Sequence, residues 1–308
     1  MAPVIEVVDL HKSFGDVHAV RGISFSVESG ECVAVLGPNG AGKTTTIEML
    51  EGFGPPDAGT VRVLGTDPTT GGAALRGRLG IVLQECGIDP YLSVAEVLRQ
   101  HASYYEHPRG VDDVIELVGL TEKRQSRVKT LSGGQQRRLD VGLGIIGDPE
   151  LLFLDEPTTG FDPSARRQAW DLVHRLRDLG TTVLLTTHYM DEAQSLADRV
   201  IVIAAGQILA EGTPESIGGR ATAKTRIQFP WPEARDLNEL PVPAARDAGD
   251  AVIETDAVIA TLHTLTEWAI AQHLDLDGLT VTQPSLEDIY LQLTADVGAD
   301  AHDAGDHA

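Results

Sequence analysis

Short apolar runs punctuate this chain, and their internal spacing predicts strands alternating with helices. Val4–Val8 reads as a strand, and Ile23, Phe25 and Val27 alternate with polar neighbours at the period of a half-buried strand. Cys32–Leu36 is an apolar strand leading into a glycine-rich stretch, and Thr44–Leu50 behind it suits a helix. Asp57-Ala58-Gly59 reads as a turn before a strand, Thr60–Leu64, with Val61 and Val63 on one face. Gly80–Leu83 is a further strand. Ser93 is placed to cap a helix carrying Val94, Val97, Leu98 and His101 at helical spacing. A second helix is predicted over Val111–Val118, and Leu139, Leu143 and Ile146 form the core face of a third. Strands recur at Leu151–Leu154, Val183–Thr187 and Val200–Ala204, with helical segments between them, one bearing Trp170, Val173 and Leu176. This alternation predicts an α/β fold with a parallel sheet covered on both faces.

The pattern changes after Gly218-Gly219. Pro230-Trp231-Pro232 and Pro241-Val242-Pro243 read as turns or linkers. Beyond them, Ala251–Glu254 and Leu279–Thr282 suit strands. Val258, Leu262, Leu265 and Ala269 share a helix face, and Ser285–Leu293 suits a last helix. A small α+β appendage is therefore expected over residues 220–295, after a main domain at 1–219. Residues 296–308, rich in Asp, Ala, Gly and His, are expected to form an acidic disordered tail. No stretch of the chain repeats, so a single functional unit is expected.

Composition narrows the role. The longest apolar runs, such as Val200–Ala205, fall far short of the roughly 20 residues that span a bilayer. The start of the chain lacks the basic and apolar segments of a signal peptide. A cytoplasmic protein is expected, with any membrane role exercised through a partner. Cys32 and Cys86 are the only cysteines, which suits a reducing compartment, and Cys32 is expected to act as a small buried apolar residue. The net charge is -22, and residues 221–308 carry 16 acidic against 4 basic side chains. That balance disfavours nucleic acid and direct adhesion to anionic lipid.

The chemistry concentrates in three stretches. Gly37-Pro38-Asn39-Gly40-Ala41-Gly42-Lys43-Thr44, followed by Thr45, has the spacing of a phosphate loop between a strand and a helix. Its glycines let backbone N–H groups turn toward phosphate oxygens, and the helix N-terminus adds partial positive charge. Lys43 can reach the outer phosphates, and the Thr44 hydroxyl can hold Mg²⁺. Leu151–Leu154 ends in Asp155 and Glu156. Asp155 can hold Mg²⁺ through its water shell, and Glu156 is placed to polarise an attacking water as a general base. Leu131-Ser132-Gly133-Gly134-Gln135 opens a helix with exposed amides, a second anion site.

With these three motifs in this order, and a later histidine, the sequence resembles the ATP-binding cassette family over about residues 4–217. The resemblance implies a phosphate-loop NTPase cassette: a mixed core sheet with helices, an antiparallel β part, and a helical subdomain at about 86–148. It further implies two cassettes packed head to tail, so that Ser132, Gly133, Gly134 and Gln135 touch ATP bound by the partner chain. Phe14, before Gly15, matches the aromatic that stacks on adenine, where the family usually has Tyr. Gln84 matches the glutamine that reaches Mg²⁺ and the water. Thr159-Gly160-Phe161-Asp162 matches the loop that crosses the dimer interface, with Phe161 where Leu is common. Asp162 also suits a helix cap. His188 matches the histidine that contacts the γ-phosphate and holds the water.

The family includes transporter motors and soluble DNA-repair and translation factors. The stretch between Gln84 and Leu131 is too short for the coiled-coil insertion of repair members, and a lone acidic cassette is unlike ribosome-acting members. The resemblance therefore implies a transporter motor bound to an integral membrane permease on the inner face of the cell membrane. A soluble regulatory or assembly switch is the alternative. Tyr91, Leu92, Tyr104 and Tyr105 are candidates for the surface that receives the permease. Pro284–Leu291 and the run Thr158–Pro163 resemble daunorubicin-resistance-type bacterial multidrug exporter ATPases, implying export of a drug or antibiotic-like compound. Every half-site is intact, which permits a homodimer.

Overall fold

The computed structural model describes residues 2–82, 87–233 and 235–303. The chain divides into two compact units, Met1–Pro214 together with Asp296–Ala308, and Glu215–Ala295. In chain order the first unit runs β1 (Ile5–Phe14), β2 (Val17–Val27), β3 (Cys32–Leu36), α1 (Lys43–Glu51), β4 (Ala58–Val63), α2 (Gly72–Arg76), β5 (Leu79–Val82), α3 (Val94–Ala102), α4 (Val111–Leu117) and α5 (Gly133–Ile145). It continues with β6 (Leu151–Asp155), α6 (Pro163–Asp178), β7 (Thr182–Thr187), α7 (Met190–Leu196), β8 (Arg199–Ala204) and β9 (Gln207–Gly212).

Among the described residues the core sheet has six strands in the order β5-β6-β7-β3-β8-β9. All pairs are parallel except β8 with β9. Every residue of β3 and β7 is buried, which explains their unbroken apolar or small polar character: strands covered on both faces have no solvent face to alternate with. Burial pushes the Cys32 thiol on β3 up to about 12, so it stays protonated as packing material.

The strands at the start of the chain do not join this sheet. They form an antiparallel one, β2-β1-β4, and β1 buries Ile5 and Val7 while exposing Glu6 and Val8. Asp57-Ala58-Gly59 corrects the turn reading, because Ala58 and Gly59 already lie in β4. The β1–β4 register slips between Val8 and His11, and Gly59 sits there at φ +86°. A Cβ on Gly59 would stand 2.1 Å from the Asp9 carbonyl oxygen. Gly59→Ala should therefore cost at least about 2 kcal/mol, lowering the thermal midpoint by about 4–8 °C; an unchanged melting curve would contradict the bulge.

The helical arm is held by local and tertiary devices. Ser93 and Glu96 form a reciprocal capping box at the start of α3. On α5 the buried face is Leu139, Gly142 and Ile145, with Ile146 beyond, whereas Leu143 is only half-buried. A Cβ on Gly142 would meet Leu98 of α3 and Val114 of α4 at 3.4–3.5 Å, ordinary van der Waals contact, so three helices converge around this position.

Glu51 closes α1 at 8% exposure, and burial first, then the charges of Asp155 and Glu48, push its carboxyl up to about 8. Between its ordinary value near 4.5 and about 8 the folded chain holds a proton that the unfolded chain releases. Stability from this group is thus full below pH 4.5 and is lost as pH rises through 8. Glu51→Gln should melt above the parent at pH 9, with the gap closing toward pH 4.5 in a melting series.

In the second unit β10 (Thr225–Pro230), β11 (Ala245–Asp247), β12 (Asp250–Thr255) and β13 (Thr280–Thr282) form an antiparallel sheet ordered β11-β12-β10-β13. Helix α8 (Val258–Ala271) buries Leu265 and Ala269. Trp231, expected in a linker, is a core residue at 4% exposure, edge-on to Phe229 and tilted against Trp268. Pro230 is the last residue of the β10–β12 ladder, opposite Asp250, and Pro232 lies beyond it, so the flanking prolines cost the ladder little. The last helix, α9 (Leu286–Asp303), is capped by the Ser285–Asp288 exchange and continues into the stretch expected to be tail. Residues 304–308 lie outside the described residues. Among the described residues no helix is long and apolar enough to cross a membrane.

Candidate nucleotide-binding and hydrolysis site

Parallel pairing places the carboxyl ends of β6, β7 and β3 side by side, the edge where open α/β sheets bind ligands. Each of these ends carries one motif. From β3 the phosphate loop runs to α1. Gly37 lets it pass under β8, since a Cβ would fall 2.2 Å from the Ile203 carbonyl oxygen. Gly42 turns it into the helix at φ +98°, where a Cβ would fall 2.2 Å from the Ala19 carbonyl oxygen. Gly42 offers no side-chain cap, so the first amides of α1 are left for an anion.

Lys43, 8% exposed, donates to the Gly37 and Pro38 carbonyls at 2.7 and 3.1 Å, arching over its own loop. Burial holds its pKa below the ordinary lysine value, opposed by the nearby charges of Glu156 and Asp155. Thr44 is exposed and Thr45 half-buried, while Pro38, Asn39 and Gly40 are exposed and Ala41 is buried. Phe14 ends β1 at 57% exposure, its ring 5.7 Å from the Lys12 ammonium. A free aromatic face beside the phosphate-loop sheet fits a stacking role.

At the end of β6, Asp155 accepts a short hydrogen bond from the Thr186 hydroxyl of β7. Glu156 follows with φ +45°, left-handed for a residue that carries a Cβ. Its N–H donates to the Thr186 carbonyl at 3.1 Å, its Oε2 accepts the Thr159 hydroxyl at 3.1 Å, and its Oε1 lies 3.2 Å from His188 Nδ1. His188, one residue past β7, packs on Tyr189, whose ring the Arg166 guanidinium covers at 4.4 Å. The structure thus brings together the carboxylate and the histidine that the sequence only placed in order.

The stretch Leu131-Ser132-Gly133-Gly134-Gln135, called the signature from here on, leads into α5. Ser132 accepts from the Gln135 N–H, and the Gln135 amide oxygen accepts from the Ser132 N–H, a capping box that holds both side chains at the helix start. Gly133 has nothing within 4 Å of a built Cβ. Asp162 caps α6 through the Ser164 and Ala165 N–H groups. A cleft of about 880 Å³ lies between these two helix starts, bordered by Ser132, Gly133, Gly134, Gln135, Glu156 and Asp162. Among its described lining residues none comes from the phosphate loop. The phosphate loop and the Leu131–Gln135 stretch thus stand apart within one chain. Gln84 lies outside the described residues. Of the candidate permease contacts, Tyr91 and Tyr104 are exposed, Leu92 is half-buried, and Tyr105 packs against Gly147.

Two residues of this site were missed in the sequence. Thr186 bridges Asp155 and Glu156; a threonine within a wholly buried strand was the available signal. Arg137, buried on α5, donates to the carbonyls of the acidic strand end, a contact with no local sequence signature.

Comparison with known proteins agrees with this geometry. The ABC transporter family profile matches residues 20–159, and that of the ABC transporter domain-containing protein-like, C-terminal domain matches residues 225–285. The chain is 40% identical to the daunorubicin/doxorubicin resistance ATP-binding protein DrrA of Streptomyces peucetius, covering 94% of this chain and 92% of that one. It is 34% identical to the linearmycin resistance ATP-binding protein LnrL of Bacillus subtilis, covering 94% and 98%. Among solved structures, cbiO1 from Clostridium perfringens, part of an ABC transporter complex, superposes with a TM-score of 0.64 at 28% identity, over 70% of this chain and 90% of that one. The ADP conformation of an ATP-binding cassette of an ABC transporter superposes with a TM-score of 0.63 at 26% identity, over 70% and 93%. The chain belongs to the ATP-binding subunits of ABC transporters and is an ATPase of that family.

Proposed function

We propose that this chain hydrolyses Mg²⁺-ATP between two copies of itself to drive export of a drug or antibiotic-like compound through a separate membrane permease. The observation that carries the hydrolytic reading is the Glu156–His188 pair, 3.2 Å apart at the ends of β6 and β7, on one side of the phosphate-loop strand β3. Lys43 and the α1 amides bind the outer phosphates, and Phe14 offers its ring to adenine. Glu156 accepts the proton of the attacking water, while His188 donates to the γ-phosphate and orients that water. The oxygen donors of Thr44 and Asp155 suit Mg²⁺, a hard cation, with Gln84 as a further candidate. When bound, the ion neutralises charge on the β- and γ-phosphates. Ser132, Gly133, Gly134 and Gln135, with Asp162 across the cleft, close over the partner's nucleotide.

The export reading rests on the drug-resistance relatives, and the separate permease on membership of the transporter family, one solved relative being part of an ABC transporter complex. Exposed Tyr91 and Tyr104, with Leu92, form the docking surface on the helical arm, at the cytoplasmic face of the membrane. The test is coexpression with candidate membrane permeases from the same organism. A stable complex whose ATPase rises with a candidate drug, and falls in Tyr91→Ala/Tyr104→Ala, supports the reading. A chain that forms no membrane complex yet hydrolyses ATP alone contradicts it.

A further inference from the structure

Glu156 stands on left-handed backbone that a residue with a Cβ rarely adopts. It precedes Pro157, and a residue before proline is pushed toward extended backbone, yet Glu156 stands at φ +45°. Left-handed backbone at a residue with a Cβ costs about 1–3 kcal/mol and persists only where surrounding contacts over-determine it. On the amino side the contact is visible: the Glu156 N–H is held by Thr186 of β7. On the carboxyl side a single guanidinium meets three successive carbonyls. Arg137 Nη2 donates to Asp155 O at 2.7 Å and reaches Glu156 O at 3.5 Å, while its Nε donates to Pro157 O at 3.3 Å. At 8% exposure these charge-assisted bonds are little screened by water.

We propose that Arg137 is a positioning residue for hydrolysis: it clamps the left-handed turn that aims Glu156, and it ties that aim to the helix whose first turn is the signature. Arg137 lies on α5 little more than one turn beyond Gly133. A shift of the α5 start as it closes on a partner's ATP is carried through a rigid helix to the carbonyls that fix the general base. The signature half-site and the catalytic carboxylate of the same chain are therefore mechanically linked. This inference rests on the reading of Glu156 as the base.

The test uses the full chain and four variants: Arg137→Met, Arg137→Lys, Glu156→Gln and the double variant Arg137→Met/Glu156→Gln. Arg137→Met should lower kcat by about 10–10²-fold, the scale of a misplaced catalytic group, with KM for ATP within about threefold of the parent, because nothing on the phosphate loop is touched. Arg137→Lys, which keeps the charge but not the fork, should recover part of kcat. In the Glu156→Gln background, Arg137→Met should cost almost nothing further, because a residue acting through Glu156 has nothing left to aim. Wild-type kcat in Arg137→Met, or an equal fall in both backgrounds, overturns the inference, the latter because it marks a purely structural role. Parent-like turnover of Glu156→Gln alone shows instead that the reading of the base is wrong.

Discussion

Glu156→Gln will bind ATP as the parent does and hydrolyse it about 10²–10⁴-fold more slowly, the contribution of a positioned general base. Glutamine keeps the shape and the left-handed backbone, so the Thr159 and Thr186 contacts survive in form. What is lost is the capacity to accept a proton, and with it the carboxylate that faces His188 Nδ1 at 3.2 Å. Binding is untouched because the phosphate contacts come from Lys43 and α1, on a different strand end. Steady-state phosphate release together with equilibrium ATP binding checks both halves. Ordinary turnover would remove Glu156 from the mechanism, and a parallel loss of binding would make it a structural residue.

Lys43→Ala will have the complementary effect. The ammonium already sits over the loop, bonded to Gly37 and Pro38 carbonyls, and a phosphate needs only to take its place among those acceptors. A hydrogen bond from a charged group contributes about 1.5–3 kcal/mol, so ATP affinity should fall by about 10–10²-fold. AMP, which lacks the outer phosphates that Lys43 reaches, should lose little. Calorimetric titration with both nucleotides separates this from a general collapse of the loop; equal losses for ATP and AMP would contradict the assignment.

Much of this was legible in the chain because the chemistry is local. Cys32–Leu36 and its glycine loop form one uninterrupted sequence signal, and the strand occupies the expected residues. The acidic pair closing an apolar run marked the end of β6. Asp162 before Pro163 announced a helix cap, and the structure shows it making one. The pattern failed where the determinant is a distant neighbour. Gly59 looked like a turn because its need for glycine comes from Asp9 across the sheet. Trp231 looked like linker because prolines flank it, although its ring fills a core with Phe229 and Trp268. Arg137 reads as another polar helix residue until the fold sets it beneath Asp155, Glu156 and Pro157. Periodicity reports which face is buried, not which buried arginine steadies a catalytic turn.

In the proposed mechanism the phosphate loop of one chain and the signature of another enclose the same ATP. Size-exclusion chromatography with light scattering on Glu156→Gln, with and without ATP, tests it most directly when repeated with Gly133→Asp added. Gly133 has open space around its Cβ position, and an aspartate in the first turn of α5 suits the helix dipole, so the single chain keeps its fold. The added carboxylate would repel only a phosphate brought by the partner. The account predicts an ATP-dependent dimer for Glu156→Gln, and a monomer that still binds ATP once Gly133→Asp is present. A dimer that survives Gly133→Asp, or ATP-bound Glu156→Gln that stays monomeric, would contradict it.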